Sequence, residues 1–231
     1  MIGVITFPGS NGDHDALHAV TDDVGAPARL IDYRETDLSG IDALILPGGF
    51  AYGDALRCGA IARFSPVMES VKEFAAKGGP VLGICNGFQV LAEAHLLPGA
   101  LLRNSTLQFQ SKWVNIRIEN TDTAWTEHCA PGEVLRVPIA NGEGQYFADA
   151  ETLAALEASG QVFARYCTPD GVVSATANSN GSVNNIAGIT NAAGNVVGLM
   201  PHPERATNAL TGGDDGMKMM KSVLDFLSVP A

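Results

Sequence analysis

Short, largely apolar runs alternate with helix-spaced segments through the first hundred residues, and few folds accommodate that alternation. Ile2 to Phe7 is the first run, closed by the turn-rich Pro8-Gly9-Ser10-Asn11-Gly12. Leu17, Val20 and Val24 then recur at helical spacing up to Gly25. Ala28 to Ile31 and Ala43 to Leu46 follow, the second ended by Pro47-Gly48-Gly49. Val67, Val71, Phe74 and Ala75 mark a helix stopped by Gly78-Gly79-Pro80. Val81 to Ile84 is the next run, with Phe88, Leu91 and Ala92 on the helix behind it. Strands this short and apolar are buried on both faces. They predict an α/β fold, a mostly parallel, open twisted sheet flanked by helices.

After Pro98-Gly99 strands take over: WVNIRI, EVLRVPIA, QVFARYC, NIAGIT and NVVGLM. One helical segment, near Glu151 to Glu157, interrupts them, and a last helix carries Met217, Met220, Leu224 and Leu227 on one face. No linker, repeat or low-complexity tract divides the chain, so residues 1–231 read as a single domain with a strand-rich second half. The balance of 14 Lys+Arg against 25 Asp+Glu argues against nucleic acid, whose binding runs on Lys and Arg. No apolar run approaches the ~18 residues of a membrane span. MIGVITFPGS lacks a basic flank and reads as a first strand, not a signal peptide. Cys58, Cys85, Cys129 and Cys167 are widely scattered, with no ligand-spaced pair, so neither a disulfide framework nor a metal site is expected. Reduced thiols in a cytoplasmic protein are the expectation.

One of those thiols has a special setting. In Val81-Leu82-Gly83-Ile84-Cys85-Asn86-Gly87-Phe88-Gln89 a strand runs into a cysteine and then a helix, with glycines two before and two after. This is the cysteine form of the strand–nucleophile–helix elbow. The helix start offers free N–H groups and a positive dipole end, both of which favour a thiolate, and the Asn86 N–H points where an oxyanion forms. A base is available in Leu199-Met200-Pro201-His202-Pro203-Glu204. The prolines hold this stretch extended, so His202 and Glu204 share a side and the carboxylate can orient the imidazole. Gly48-Gly49, at the end of a parallel strand, can bring a second backbone amide to a substrate. Each motif also has a plainer reading: a buried core cysteine, a stiff surface loop, an ordinary turn. Gly9-x-x-Gly12 matches no dinucleotide or phosphate-loop motif, and His14, His18, His95 and His128 read as structural or solvated. Another cysteine hydrolase of similar fold, or a non-catalytic scaffolding subunit, stays open on these residues alone.

GICNGFQ, the Pro-Gly-Gly turn before it and the late His-Pro-Glu triplet, in that order, resemble the class I (triad) glutamine amidotransferases. The resemblance implies Cys85 as nucleophile, His202 as base and Glu204 as its orienting carboxylate. It implies Gly49 and Asn86 as oxyanion-hole amides, with Gly48 beside them and Gln89 lining the glutamine pocket. FPGSNGDHDA, LPGGFAYGDALRCGAIARFSPVM, LLRNSTLQFQSKWVNIRIEN, RVPIANGEGQYF and GLMPHPERA are similar, within that family, to glutaminase subunits of purine biosynthesis. Those subunits pass ammonia to an ATP-dependent synthetase that converts formylglycinamide ribonucleotide to its amidine. By that resemblance glutamine is the substrate, and a synthetase subunit and a small third subunit are the partners. ATP and Mg belong to the synthetase, and this chain needs no cofactor. Exposed GDALRCGA is expected in the contact surface. The Gly48-Gly49 peptide is expected to await repositioning by the partner, which would leave the isolated chain a poor glutaminase. The chain departs from the family at Asn141, where His usually precedes Gly-Glu-Gly.

Overall fold

The computed structural model describes residues 1–228. The first half supplies β1 (Ile2–Thr6), α1 (Asp13–His18), β2 (Ala28–Asp32), β3 (Ala43–Leu46), α2 (Val67–Ala76), β4 (Val81–Ile84) and α3 (Asn86–Glu93). The second supplies β5 (Ala100–Leu102), β6 (Gln110–Ile118), β7 (Val134–Asn141), β8 (Gln145–Phe147), α4 (Ala150–Ala158), β9 (Val162–Cys167), β10 (Ile186–Thr190), β11 (Val196–Leu199) and α5 (Met217–Ser228). One nine-stranded sheet runs in the order β2-β1-β3-β4-β11-β10-β9-β6-β7. From β2 to β11 every pair is parallel, and from β11 to β7 every pair is antiparallel. The strand-rich second half therefore extends the same sheet.

The expected burial holds for the inner parallel strands, whereas β2, at the sheet edge, is buried only at Ile31. All four residues of β3, β4 and β11 are buried. Val81, Leu82 and Ile84 are fully enclosed, and each such side chain contributes about 1.5–3 kcal/mol relative to exposure. Helix α3 packs on β3, β4 and β11, and α1 packs on β1 and β2. The helix predicted up to Gly25 is α1 continued in wider π turns over Ala19–Val24, and Gly25 ends it in the left-handed conformation.

The apolar stripe of α5 is rotated from the expected one. Met219, Met220 and Val223 are buried, whereas Met217, Leu224 and Leu227 are only half-buried. The helix lies along the α1 extension, and Ser222 joins its buried face, accepting the His128 N–H and donating to Lys218 O. The two-stranded β5–β8 pair has no sequence signature, since three-residue strands are too short to show a period. In GDALRCGA the chain is exposed at Gly53 and Ala55–Arg57 and turns inward at Cys58–Ala60. Among the described residues no helix is long and apolar enough to cross a membrane.

Candidate active site

The loops leaving the carboxyl ends of β1, β3, β4 and β11 converge, which is where ligands bind in open parallel sheets. Cys85 leaves β4 and caps α3 at φ 51°, ψ −104°, a region that residues with a Cβ avoid. Strain of this kind costs of order 1–3 kcal/mol and persists only where the surroundings impose it. Here the Cys85 N–H donates to Leu199 O at 2.8 Å, and its carbonyl accepts the Gln89 N–H at 3.2 Å. The neighbouring glycine is required by close approach: a Cβ on Gly87 would lie 2.0 Å from the Leu46 carbonyl oxygen.

His202 leaves β11 and is tied to the far edge of the sheet, its N–H donating to Pro138 O of β7 at 2.8 Å. The antiparallel half thus curls back over the carboxyl end of the parallel half. That curl sets the Ala140 carbonyl 3.8 Å from Cys85 Sγ. His202 Nδ1 lies 2.6 Å from Glu204 Oε1, with the two side chains 2% and 0% exposed. Burial opposes a charge on His202, but the Glu204 carboxylate and Cys85 outweigh it and push its pKa up to about 10. Its Nε2 is buried with no hydrogen-bond partner among the described residues. Cys85 is the group beside it, and the two line a common cavity.

The Gly48-Gly49 turn closes the other side. A Cβ on Gly48 would sit 2.7 Å from His202 Cε1 and 3.6 Å from Cys85 Cβ, so only glycine fits. Gly48 O accepts the N–H groups of Asn11 at 3.3 Å and Gly12 at 3.0 Å. In a trans peptide the N–H points opposite to the carbonyl, so the Gly49 N–H faces away from that loop. Gly49 also lines the cavity shared by Cys85 and His202. The Gly49 N–H is thus on the side of the peptide away from the β1–α1 loop. Asn86 lies in the first turn of α3, where a backbone N–H has no intrahelical acceptor. The cavity measures about 70 Å³. Phe50 and Phe109, both exposed, stand at its mouth.

Asn86 and Gln89 are brought together with this centre, but their carboxamides are engaged by the protein. Asn86 Oδ1 accepts the Ala51 N–H at 3.0 Å, and its Nδ2 donates to Gln89 Oε1 at 2.9 Å. Gln89 Nε2 donates to Glu143 O at 2.7 Å. Asn141 does not face the sulfur. Alternation along β7 turns Ala140 to the cavity and Asn141 to the buried side, where its carboxamide has no partner among the described residues. His14, His18, His95 and His128 are exposed and lie apart from the centre. Sequence reasoning missed the Ala140 carbonyl and the Asn11 and Gly12 amides. Backbone groups carry no residue-type signal, although Gly9-x-x-Gly12 marked the place. A larger cleft, about 660 Å³, lies between the Asn191–Asn195 turn and the Asn120–Glu127 segment and holds none of these residues.

A family model described as a CobB/CobQ-like glutamine amidotransferase domain matches residues 1–215. The phosphoribosylformylglycinamidine synthase subunit PurQ of Thermomicrobium roseum is 61% identical over 221 residues, 96% of this chain and 94% of that protein. The same subunit from Salinibacter ruber is 54% identical over 229 residues, 99% of this chain and 97% of that one. Among solved structures, a chain of PurLQS from Thermotoga maritima superposes with a TM-score of 0.87 at 41% identity, covering 98% of each chain. A glutamine amidotransferase from the same organism shares the fold at 17% identity, with a TM-score of 0.52 over 98% of this chain and 83% of its own.

Proposed function

The chain belongs to the CobB/CobQ-like glutamine amidotransferase family, alongside the PurQ subunits of phosphoribosylformylglycinamidine synthase, and we propose that Cys85, His202 and Glu204 hydrolyse glutamine to supply ammonia to a synthetase partner. The observation that carries the reading is the buried His202–Glu204 pair, 2.6 Å apart, beside a cysteine held in a strained elbow.

Cys85 Sγ attacks the side-chain amide carbon, and the oxyanion that forms is met by the N–H groups of Gly49 and Asn86. His202, whose raised pKa keeps it protonated at neutral pH, gives its proton to the amide nitrogen. The C–N bond breaks, ammonia leaves, and a γ-glutamyl thioester remains on Cys85. Neutral His202 then takes a proton from water, whose oxygen attacks the thioester carbon. The C–S bond breaks and glutamate departs. Glu204 holds the Nδ1–H throughout and stabilises the imidazolium whenever it forms.

Ammonia released to water is soon protonated, and ammonium is no nucleophile. The product is useful only if a partner receives it. By the chain's kinship with PurQ, that partner is the synthetase subunit, joined by a small third subunit, with ATP and Mg held by the synthetase. The acceptor is formylglycinamide ribonucleotide, which becomes the amidine in de novo purine biosynthesis in the cytoplasm.

The other three thiols are poor candidates for the nucleophile. Burial pushes Cys129 and Cys167 up to about 11. Burial, with the carboxylates of Glu143 and Asp54 beside it, raises Cys58 further. The glutamine analogue 6-diazo-5-oxo-L-norleucine, incubated with the chain and its partners, is therefore expected to alkylate Cys85 alone, and glutamine to protect it. Peptide mass mapping reads the outcome. Label on Cys58, Cys129 or Cys167 with Cys85 unmodified would reject the assignment.

A further inference from the structure

We infer that the β1–α1 loop, residues 8–12, is a positioning clamp that locks the Gly49 amide toward Cys85. The inference rests on the proposed role of that amide as an oxyanion donor. The loop and the turn after β3 are stitched together on both sides of the Gly48-Gly49 peptide. Asn11 and Gly12 both donate to Gly48 O, Phe50 N–H donates to Gly9 O at 2.9 Å, and Tyr52 N–H donates to Pro8 O at 2.6 Å. Turning the Gly48-Gly49 peptide over would break two of these bonds at once. It would also set the Gly49 N–H against the Asn11 and Gly12 N–H groups, donor facing donor.

The closeness of the two segments accounts for their glycines. A Cβ on Gly12 would lie 3.2 Å from Gly48 N, and one on Gly49 2.7 Å from Asn11 N. Gly9 has φ +93°, and a Cβ there would lie 2.2 Å from Phe50 O. The clamp also reaches the catalytic pair from the other side. Arg205, next to Glu204, donates to Asp15 at 2.8 Å and stands 3.5 Å from Asn11 Oδ1. One short loop thus joins the oxyanion turn to the His202–Glu204 segment. Gly9-x-x-Gly12, which matches no phosphate or dinucleotide motif, acquires a reason of another kind.

Gly12→Ala tests the clamp in the assembled complex. Gly12 has φ −95° and ψ 4°, the bridge conformation that alanine takes as the third residue of a type I turn, so the variant acts chiefly through one methyl group pressed against Gly48. Glutamine-dependent kcat is expected to fall about 10²-fold, the scale of a lost oxyanion donor, with KM little changed. Ammonia-dependent turnover is expected to stay at the wild-type level. Alkylation of Cys85 by iodoacetamide, a displacement that builds no oxyanion, is also expected to keep its wild-type rate. An amide-to-ester replacement at residue 12, made by semisynthesis, removes the N–H donor without adding an atom and should move kcat the same way. Wild-type kcat in both variants overturns the clamp, and so does alkylation falling in step with turnover. If Cys85→Ala still hydrolysed glutamine, the glutaminase reading itself would fail. If Cys85→Ala is inert while both residue-12 variants behave as wild type, only the clamp is lost.

Discussion

Replacing Cys85 by alanine is expected to abolish glutamine-dependent turnover of the assembled complex while leaving ammonia-dependent turnover intact. Without the sulfur no thioester forms, and His202 and the oxyanion amides have no covalent intermediate to serve. Removing the nucleophile of a triad that acts as a unit costs about 10⁶-fold in kcat. The fold should tolerate the change. Cys85 is buried, but its backbone conformation is imposed by the Leu199 and Gln89 hydrogen bonds and by the glycines around it. Alanine inherits the same positive φ, so the strain is not relieved and the elbow stays in place. The measurement is product formation with glutamine and with ammonium as alternative nitrogen sources. A glutamine-dependent rate surviving in Cys85→Ala would remove the thiol from the mechanism.

His202→Ala and Glu204→Gln are expected to differ in kind. The alanine variant loses both proton transfers, each worth about 10²–10⁴-fold, and should be nearly inert. Glu204→Gln keeps the imidazole but removes the carboxylate, the largest influence raising its pKa against burial. Residual activity is expected, with a changed pH dependence. In the wild type His202 holds its proton until about pH 10, so kcat/KM should not fall through neutrality on its account. Without the Glu204 charge, burial prevails and the proton is lost at lower pH. The alkaline limb should therefore move down toward neutrality. An unmoved alkaline limb in Glu204→Gln would mean that the carboxylate does not set the state of His202, and full activity in His202→Ala would end the triad reading.

Much of this was legible in the sequence because the parallel strands are buried on both faces and bounded by glycine and proline. Val81–Ile84 is an uninterrupted apolar run whose end coincides with Cys85. The Gly83 and Gly87 spacing marks the elbow, which the structure shows as the positive φ of Cys85. His202 and Glu204 were legible as a pair. Their pairing holds, but not through the extended backbone expected of the prolines: Pro203 opens a 3-10 turn over Pro203–Arg205, and that turn brings Glu204 back onto the His202 imidazole.

What lay outside the sequence's reach was long-range closure. Nothing in EVLRVPIA indicates that the last strand of the sheet returns to put Ala140 beside the sulfur and Pro138 on the His202 amide. Nor does FPGSNG reveal that its amides hold Gly48 O. These contacts are made by main-chain atoms, and any residue that permits the backbone path would serve. The orientation of the Gly48-Gly49 peptide was out of reach for the same reason: a Gly-Gly turn read alone allows both orientations, and the loop from β1 holds Gly48 O in one. The rotation of the α5 stripe has a similar origin, since period alone cannot say which of two adjacent faces meets the α1 extension.

We propose that nitrogen released at Cys85 reaches the synthetase partner without mixing with the solvent. The most direct test supplies the assembled complex with glutamine labelled with ¹⁵N in the amide, in a solution containing unlabelled ammonium. The account predicts amidine product that carries the label undiluted with the wild-type chain and carries none with Cys85→Ala, which draws on ammonium alone. Wild-type product whose nitrogen comes from the solvent ammonium, with glutamine left intact, would contradict it.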